Sequence, residues 1–411
     1  MNNIIYQCKE SNDYDNTSLI TILIEKALGF SHLFFSTFFD AIEFVFEASI
    51  NKEICLVIDK YPYIRGQIDG CDSKLQALID KYKEISKLKL ILIGSISIME
   101  EVLEHNSHYI EDLIYLFYLN KWIIMILQSF IHRFHLMIKL RLYSVFCGGQ
   151  YYNIQIDERQ TVKENIIRLI SGTFSGLKDF VETYLKMELR RINNANIVFD
   201  TIANGAFHCS DILSKSQIET STTLNNIIQK LIKMDLVEYI CPINDKSNKR
   251  KSGYRIKDLS LRFYYNYIYK NESTHNILDD DVFYDTFIKD DFENHFVPNM
   301  FVMICKEFLI RKNRESKLNP MLLDIGTYWY DNPKEKKNGQ FDVVGQTKDG
   351  FIFYECKYTN IKINDEMIKE EISQISKTNL NPVNYGFFSK CGYDIKEKNN
   401  YQLCTIDDLF E

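Results

Sequence analysis

Two uninterrupted apolar runs near the start of the sequence, Ile54–Asp59 and Leu88–Ser95, constrain the fold of this chain more than any other feature. Around them the periodicity of apolar residues predicts a short strand and three helices, at residues 4–8, 19–28, 38–47 and 74–82. Strands that are apolar throughout and alternate with helices form parallel sheets covered on both faces. The sequence therefore predicts an α/β domain at the N-terminal end.

Polar residues end both apolar runs, and they are the predicted nucleotide-binding residues. Asp59 ends the first run as in a Walker B strand, where the carboxylate holds the water shell of a nucleotide-bound Mg²⁺. Ser95 lies at the tip of the second run. Lys60 follows Asp59, at the place where a Glu normally polarises the attacking water. A plain core strand that ends in a carboxylate would explain Asp59 equally well.

A phosphate-binding loop of the form G-x-x-x-x-G-K-[ST] does not occur in the 411 residues. Such a loop supplies the clustered backbone N–H groups that hold a triphosphate. Together with Lys60, this predicts an ATPase-like domain in which ATP binding and hydrolysis are impaired or absent.

Residues 193–258 have the pattern of a winged helix-turn-helix: three short helices are followed by two strands, at 236–241 and 254–256. The loop between the strands is basic, and Lys249, Arg250 and Lys251 are its predicted DNA-binding residues. A solvated hairpin on a module that binds another protein would have the same pattern, so both partners remain open.

The C-terminal part contains the strongest catalytic candidate, a hairpin that carries Asp342, Glu355 and Lys357. Glu355 and Lys357 are two residues apart on one strand and therefore share a face. A turn centred on Lys348–Asp349 places Asp342 opposite Glu355, and a turn centred on Asp349–Gly350 places it opposite Lys357. Two carboxylates that bind Mg²⁺ beside a Lys suit phosphodiester cleavage, which is the D…ExK pattern of PD-(D/E)XK nucleases. The alternative is an exposed hairpin with cross-strand ion pairs.

The composition limits the class of protein. A chain of 411 residues predicts two or three domains, and a net charge of −7 argues against a whole-chain nucleic-acid binder while permitting a local basic face. The 10 cysteines are scattered singly, which favours a reducing, cytoplasmic location. Residues 109–146 are strongly apolar, but polar residues interrupt them and no second such run occurs, so no membrane partner is expected.

In this order, the motifs resemble those of archaeal and bacterial AAA-type, STAND-like ATPases. Those proteins have a winged-helix middle and a C-terminal, restriction-endonuclease-like domain of unknown function (number 234). The resemblance implies three parts, at residues 1–147, 148–270 and 271–411: a truncated P-loop parallel-sheet domain, a winged helix, and a nuclease-like α/β domain. It also implies ATP and Mg²⁺ as cofactors. The matching residues include 56–63, 93–95, 202–205, 254–258, 261–265, 325–326, 341–342, 355–357 and 388–393.

The chain departs from the family pattern in several places. The family's phosphate-binding loop would precede Met1, its Asp-Glu pair is Asp59–Lys60 here, and a helical Phe-Glu pair is Phe301–Val302. Residues 104–147 are apolar where the family is polar, which suggests two compensating frameshifts. The prediction is a degenerate ATPase-like protein that binds DNA or a partner. The alternative is a Mg²⁺-dependent nuclease with a winged-helix reader.

Overall fold

The computed structural model describes residues 2–94, 124, 131, 133–147, 149–176, 194–332, 337–376, 381–396 and 399–411. The chain divides into two compact units, residues 1–119 and 120–411. The finer division into 1–147, 148–270 and 271–411 stays a prediction. Both units combine helices with strands, so the predicted α/β class is confirmed.

The first unit is built on a three-stranded parallel sheet in the order β1-β2-β3, as predicted. Asn2 to Gln7 pair in register with Ile54 to Asp59, and Ile54 to Ile58 pair with Leu88 to Leu92. Its elements in chain order are β1 (Asn2–Gln7), α1 (Asp13–Leu28), α2 (Phe38–Ala48), β2 (Ile54–Asp59), α3 (Tyr61–Arg65), α4 (Cys71–Tyr82) and β3 (Leu88–Leu92).

Local signals set the bounds of the first two helices. The side chain of Asn12 accepts a hydrogen bond from the backbone N–H of Asp15 at the start of α1, and Gly29 ends that helix with a φ of 77°. Thr37 and Asp40 form a reciprocal capping box at the start of α2. Both helices bury apolar residues in the core that contains one face of the sheet.

The second face of the sheet differs from the prediction. The row Ile5, Val57 and Ile91 crosses the three strands on that face, and Ile5 and Ile91 are 66% and 46% exposed. The core of the first unit instead contains the opposite row, which includes Ile4 and Leu56. In the part of this unit that the structure describes, helices therefore cover one face only.

In the described part of the second unit, α5 comes from the end of the apolar segment. Leu140, Leu142 and Phe146 are fully buried in the core, and Arg141 forms a 2.8 Å ion pair with Glu293. Its helices up to the wing are α5 (Leu136–Phe146), α6 (Gln150–Asn153), α7 (Val162–Ile166) with a π-helical turn (Ile167–Ser171), α8 (Ala195–Ala203), α9 (Cys209–Ser216) and α10 (Ser221–Lys233). The frameshift interpretation of residues 104–147 stays untested.

The strands β4 (Val237–Ile240) and β5 (Gly253–Ile256) follow α10 as an antiparallel hairpin, called here the wing. The order of three helices and two strands agrees with the sequence pattern. His208 precedes α9, and Thr220 caps α10 by accepting from the N–H of Thr223. Gly205 follows α8 with a φ of 88°, which suits a residue just beyond a helix end.

Helices then lead from the wing to the C-terminal sheet. They are α11 (Leu259–Phe263), α12 (Glu272–His275), α13 (Asp280–Phe287), α14 (Lys289–Asp291) and α15 (Val297–Arg314), with π-helical turns at Tyr264–Ile268 and Phe292–Phe296 and a 3₁₀ turn at Tyr269–Asn271. One continuous apolar cluster extends through these helices, from α5 to the C-terminal strands. Phe263 is fully buried in it.

A five-stranded mixed sheet, in the order β12-β10-β8-β7-β6, forms the C-terminal part. Strands β6, β7 and β8 are antiparallel neighbours, whereas β10 is parallel to β8 and β12 is parallel to β10. The elements are β6 (Asp324–Asn332), β7 (Lys337–Gln346), β8 (Phe351–Lys357), β9 (Ile363–Asn364), α16 (Asp365–Ile375), β10 (Pro382–Ser389), β11 (Tyr393–Asp394), β12 (Gln402–Thr405) and α17 (Ile406–Leu409).

Across the described ranges, no helix has the length and apolar character that a membrane crossing needs. The most apolar window, residues 113–131, lies almost entirely outside those ranges.

Candidate active site

The β7–β8 hairpin places Asp342 opposite Glu355. Gln346 pairs with Phe351 and Val343 with Tyr354, so the turn is centred on Lys348–Asp349. The N–H of Thr347 donates to the carbonyl of Gly350 at 2.7 Å and closes this turn. Continuing the register by one residue brings Asp342 across from Glu355. Of the two registers that the sequence left open, the structure therefore has the first.

Gly350 fixes the end of the turn. Its φ is 153°, in a region that other residues rarely adopt, and a Cβ added there would lie 2.6 Å from the carbonyl oxygen of Asn381. A side chain at this position would displace either the turn or the neighbouring chain. The position of Asp342 relative to Glu355 therefore depends on this glycine.

A β-bulge lies in β7 at Asp342, where this strand pairs with β6. Gly326 pairs with Val344 but Tyr328 pairs with Phe341, so Asp342 and Val343 both oppose Thr327. The hydroxyl of Thr327 donates to the carbonyl of Asp342 at 3.3 Å. The bulge interrupts the alternation of side chains at the residue that the sequence predicts to be catalytic.

Lys357 links two carboxylates on the same face of the sheet. Its Nζ lies 2.9 Å from Oε1 of Glu355 and 2.6 Å from Oε1 of Glu371, which lies on α16. The side chains of Glu355, Lys357 and Glu371 are 20%, 25% and 14% exposed. The three charges are thus largely shielded from water, and the interactions between them are stronger than on an open surface.

Burial and mutual repulsion change the acidity of these groups. Burial and the neighbouring Glu371 carboxylate raise the pKa of Glu355 to about 7. Burial also raises the pKa of Asp342. Burial disfavours the charged form of Lys357, but the carboxylates of Glu355 and Glu371 outweigh it and raise the pKa of Lys357. Near neutral pH, Glu355 is poised between its neutral and ionised forms while Lys357 keeps its proton.

The chemistry of this donor set fits Mg²⁺, the predicted cofactor. Mg²⁺ binds in proteins through one or two carboxylates and completes its shell with water and substrate phosphate oxygens. Asp342 and Glu355 would supply those two carboxylates. Over the described ranges, no group of three or more His, Cys, Asp or Glu side chains has a metal-binding arrangement. The ammonium of Lys357 is the cation that balances Glu355 in this structure.

Glu371 is the member of this cluster that the sequence analysis missed. The family's helical carboxylate is replaced by Val302, and the adjacent Phe301 is fully buried against the ring of Tyr358. Glu371 instead approaches Lys357 from α16. It lies one turn before Ile375 and one turn after Ile368, which both pack in apolar clusters. Helical periodicity could have placed Glu371 on the inner face of α16.

The predicted nucleotide residues are only partly described. Asp59 lies at the C-terminal end of the central strand, where Oδ2 accepts from Nε2 of Gln7 at 3.0 Å and Oδ1 accepts from the N–H of Lys60 at 2.9 Å. Lys60 has a φ of 54° and its Nζ lies 5.5 Å from the ring centroid of Tyr63. Ser95 lies outside the described residues.

The basic residues of the wing fall into two sets. Lys246 pairs with Asp324 at 2.6 Å, and Arg255 pairs with Glu238 at 2.8 Å. Lys249 and Arg250 are exposed and Lys251 is partly exposed, and none of the three has an ion pair within the residues that the structure describes. The three predicted DNA-binding residues are therefore the available cations of this loop.

Comparisons with known proteins bear on the C-terminal part most directly. Residues 264–372 match a family model described as DUF234, archaeal and bacterial proteins of unknown function. Residues 264–372 of this chain are thus similar to the DUF234 family. This range includes Asp342, Glu355, Lys357 and Glu371, and this part of the family resemblance is confirmed.

The chain is also similar to individual proteins. An uncharacterized protein of Methanocaldococcus jannaschii is 25% identical over 370 residues, which are 88% of this chain and 81% of that protein. A Walker-type ATPase of Pyrococcus abyssi has a TM-score of 0.48 and 13% identity, over 64% of this chain and 83% of its own. A Vibrio cholerae protein has a TM-score of 0.21 and 12% identity, over 90% and 92% of the two chains.

The raised pKa of Glu355 predicts a pH dependence of stability. Its folded-state pKa of about 7 lies above the ordinary value of 4.5, so the folded protein holds this proton more tightly than the unfolded chain. The resulting stabilisation is fully present below about pH 4.5 and is lost as the pH rises through about 7. We expect the free energy of unfolding of the wild type, relative to Glu355→Gln, to fall by on the order of 2 kcal/mol across that window. Chemical denaturation at several pH values measures this, and a difference that does not change with pH would contradict it.

Proposed function

We propose that the DUF234 part of this chain cleaves phosphodiester bonds of nucleic acid with the help of Mg²⁺. The observation that carries the proposal is the 2.9 Å contact of Lys357 with Glu355 next to Asp342, whose charge acts on Glu355. The members of this cluster lie on β7, β8 and α16, so the fold fixes their relative positions.

Each residue has a defined task in this proposal. Asp342 and Glu355 hold the cation, which when bound would neutralise charge on the phosphate and lower the pKa of an attacking water. Glu355 must lose its proton to do so, and its pKa of about 7 allows this near neutral pH. Lys357 keeps its proton and can donate a hydrogen bond to a phosphate oxygen as negative charge develops there. Glu371 holds the Lys357 ammonium in place.

The wing supports a nucleic-acid substrate. Its loop presents Lys249, Arg250 and Lys251 without a charge partner in the described part of the chain, and it belongs to the same compact unit as the catalytic cluster. Cations of this kind contact the phosphate backbone and position a nucleic acid without reading its sequence. The wing would then be the reader that the sequence pattern predicts.

A cleavage assay with the full chain tests the proposal. Labelled single- and double-stranded DNA and RNA are incubated with Mg²⁺ or Mn²⁺, and with EDTA in a parallel sample. We expect cleavage that requires the divalent cation and increases with pH through about 7, as Glu355 ionises. Cleavage at the same rate in EDTA would contradict the proposed roles of Asp342 and Glu355, and so would no cleavage of any of these substrates.

A second proposal concerns the first unit, which we propose belongs to an ATPase-type domain that does not hydrolyse ATP. The observation that favours it is Lys60, which stands where a catalytic Glu is expected and directs its ammonium to the ring of Tyr63. A protonated Lys cannot act as the base, and its charge opposes a metal ion beside Asp59.

This second proposal makes a direct prediction about nucleotide binding. We expect the wild type to show no micromolar affinity for Mg²⁺–ATP and no hydrolysis above that of Asp59→Asn. Titration calorimetry measures the affinity, and release of inorganic phosphate measures the hydrolysis. Micromolar ATP binding that Asp59→Asn abolishes would overturn the proposal.

A further inference from the structure

A cavity of about 390 Å³ lies between the wing and the edge of the C-terminal sheet, beside the catalytic cluster. Its walls come from the wing hairpin, from α11 and α15, and from the start of β6 and the middle of β7. Asp342 and the bulge partner Thr327 form part of one wall. The cavity therefore adjoins the residue that is proposed to hold the metal ion.

Direct contacts join the wing to the sheet around this cavity. The N–H of Ile243 donates to the carbonyl of Thr327 at 2.9 Å, and Pro242 and Thr327 form an isolated parallel bridge. A Cβ at Gly326 would come within 3.1 Å of the Cβ of Ile243. This close approach of backbone to side chain makes the wing and β6 one continuous wall.

Four cations and three carboxylates line the cavity, and two ion pairs account for four of these charges. Arg255 faces Glu238 across the wing strands at 2.8 Å, and Lys246 reaches Asp324 at 2.6 Å. The remaining carboxylate is that of Asp342, and the charges that act on it are those of Lys357 and Glu371. The remaining cations of the lining are those of Arg262 and Lys306.

Arg262 and Lys306 have no ion pair in the part of the chain that the structure describes. Nη1 of the Arg262 guanidinium lies 3.5 Å from the thioether Sδ of Met303. Burial lowers the pKa of Arg262 to about 10, so this group remains charged at neutral pH, and burial also lowers the pKa of Lys306. Both side chains are partly exposed, and a cation that loses part of its water without forming an ion pair gains from binding an anion.

We propose that Arg262 and Lys306 bind a phosphate group of the nucleic-acid backbone in this cavity. The guanidinium offers a planar fork of donors that matches two phosphate oxygens, and the ammonium adds a second charge. The amide of Asn299 lines the same space and can donate to a remaining oxygen. Lys249, Arg250 and Lys251 lie in the loop that joins the two wing strands.

That the bound phosphate belongs to a nucleic acid rests on the proposed nuclease function. Binding of a phosphate in the cavity does not itself require cleavage. A backbone phosphate held here would fix the register of the strand, so that a neighbouring phosphodiester lies at Asp342 and Glu355. Lys306 and Arg262 are thus proposed positioning residues.

The test measures binding of labelled DNA and RNA oligonucleotides by fluorescence anisotropy, with the full chain in EDTA, over a range of salt concentrations. We expect Arg262→Met and Lys306→Met each to weaken binding by about 10-fold and to reduce the dependence of log K on log salt by roughly one unit. The matched control is Arg159→Met, because Arg159 is 82% exposed and pairs with Asp157 at 2.8 Å. Oligonucleotide binding by both cavity variants as tight as that of the wild type would overturn the proposal.

Two further arms separate the alternatives. Because Arg262 is partly buried and has no ion pair among the described residues, Arg262→Met should melt at the same or a higher temperature than the wild type. Lys306→Met is used if Arg262→Met does not fold. Inorganic phosphate is titrated in a thermal-shift assay. If phosphate stabilises the wild type but not Arg262→Met, while Arg262→Met binds oligonucleotides as tightly as the wild type, the cavity binds free phosphate. The proposal that it binds a phosphate of the nucleic-acid backbone is then wrong. A wild-type chain that binds oligonucleotides through Arg262 and Lys306 but never cleaves them contradicts the proposed function alone.

Discussion

Glu355→Gln is expected to reduce Mg²⁺-dependent cleavage of nucleic acid by more than about 100-fold. Gln has the shape of Glu but cannot become an anion, so it removes one of the two carboxylates that would hold the cation. Because the neutral form of Glu355 is already populated near its pKa of about 7, the fold tolerates an uncharged group at this position. The expected loss is therefore in rate and metal affinity, not in folding.

The matched control for this variant is Glu370→Gln. Glu370 is exposed and lies one residue from Glu371, so its replacement makes the same chemical change on the outer face of α16. We expect it to cleave at the wild-type rate. Cleavage by Glu355→Gln within a few-fold of the wild type, at saturating Mg²⁺, would exclude Glu355 as a ligand and leave the ion pairs with Lys357 as a purely structural feature.

Phe263→Ala is expected to lower the free energy of unfolding of the second unit by about 3–5 kcal/mol. Phe263 is fully buried, and its ring centroid lies 4.9 Å from that of Tyr267, 6.2 Å from that of Phe292 and 5.7 Å from that of Phe296. These neighbours stand on both sides of the predicted boundary at residues 270 and 271. Removing the ring therefore leaves a cavity that the wing side and the C-terminal side share.

Hydrogen exchange shows whether the catalytic hairpin depends on that shared core. In Phe263→Ala we expect the amides of Val344 and Phe353 to lose protection together with those of the helices before the wing. Phe174→Ala is the control, because Phe174 is 96% exposed, and it should change stability by less than about 0.5 kcal/mol. If the amides of the hairpin keep full protection while those of the helices before the wing exchange, the two regions are independent domains, as the sequence predicts.

The sequence was informative wherever a single local pattern determines the geometry. The apolar run Ile54–Asp59 became the central parallel strand with the predicted bounds, because alternation of buried strands and helices leaves few alternatives. The hairpin turn was narrowed to two registers by its polar residues, and the structure has one of them. Glu355 and Lys357 could be placed on one face because the period of a strand is two residues, and the two side chains lie 2.9 Å apart.

Features that depend on contacts between distant segments could not be predicted in the same way. Glu371 reaches Lys357 from a helix 14 residues further along the chain, and its position requires the packing of α16 on the sheet. The cavity depends on the bridge between Pro242 and Thr327, which joins the wing to an edge strand. Arg262 and Lys306 are ordinary helix residues in the sequence, and their place in the cavity wall without an ion pair among the described residues distinguishes them.

Anomalous scattering from crystals of the full chain grown with Mn²⁺, at a pH above 7, tests the proposed metal site most directly. The account predicts a peak bonded to carboxylate oxygens of both Asp342 and Glu355, with the Lys357 ammonium retained by Glu371. Well-ordered carboxylates with no peak between them, and an unbroken contact from Lys357 to Glu355, would contradict it.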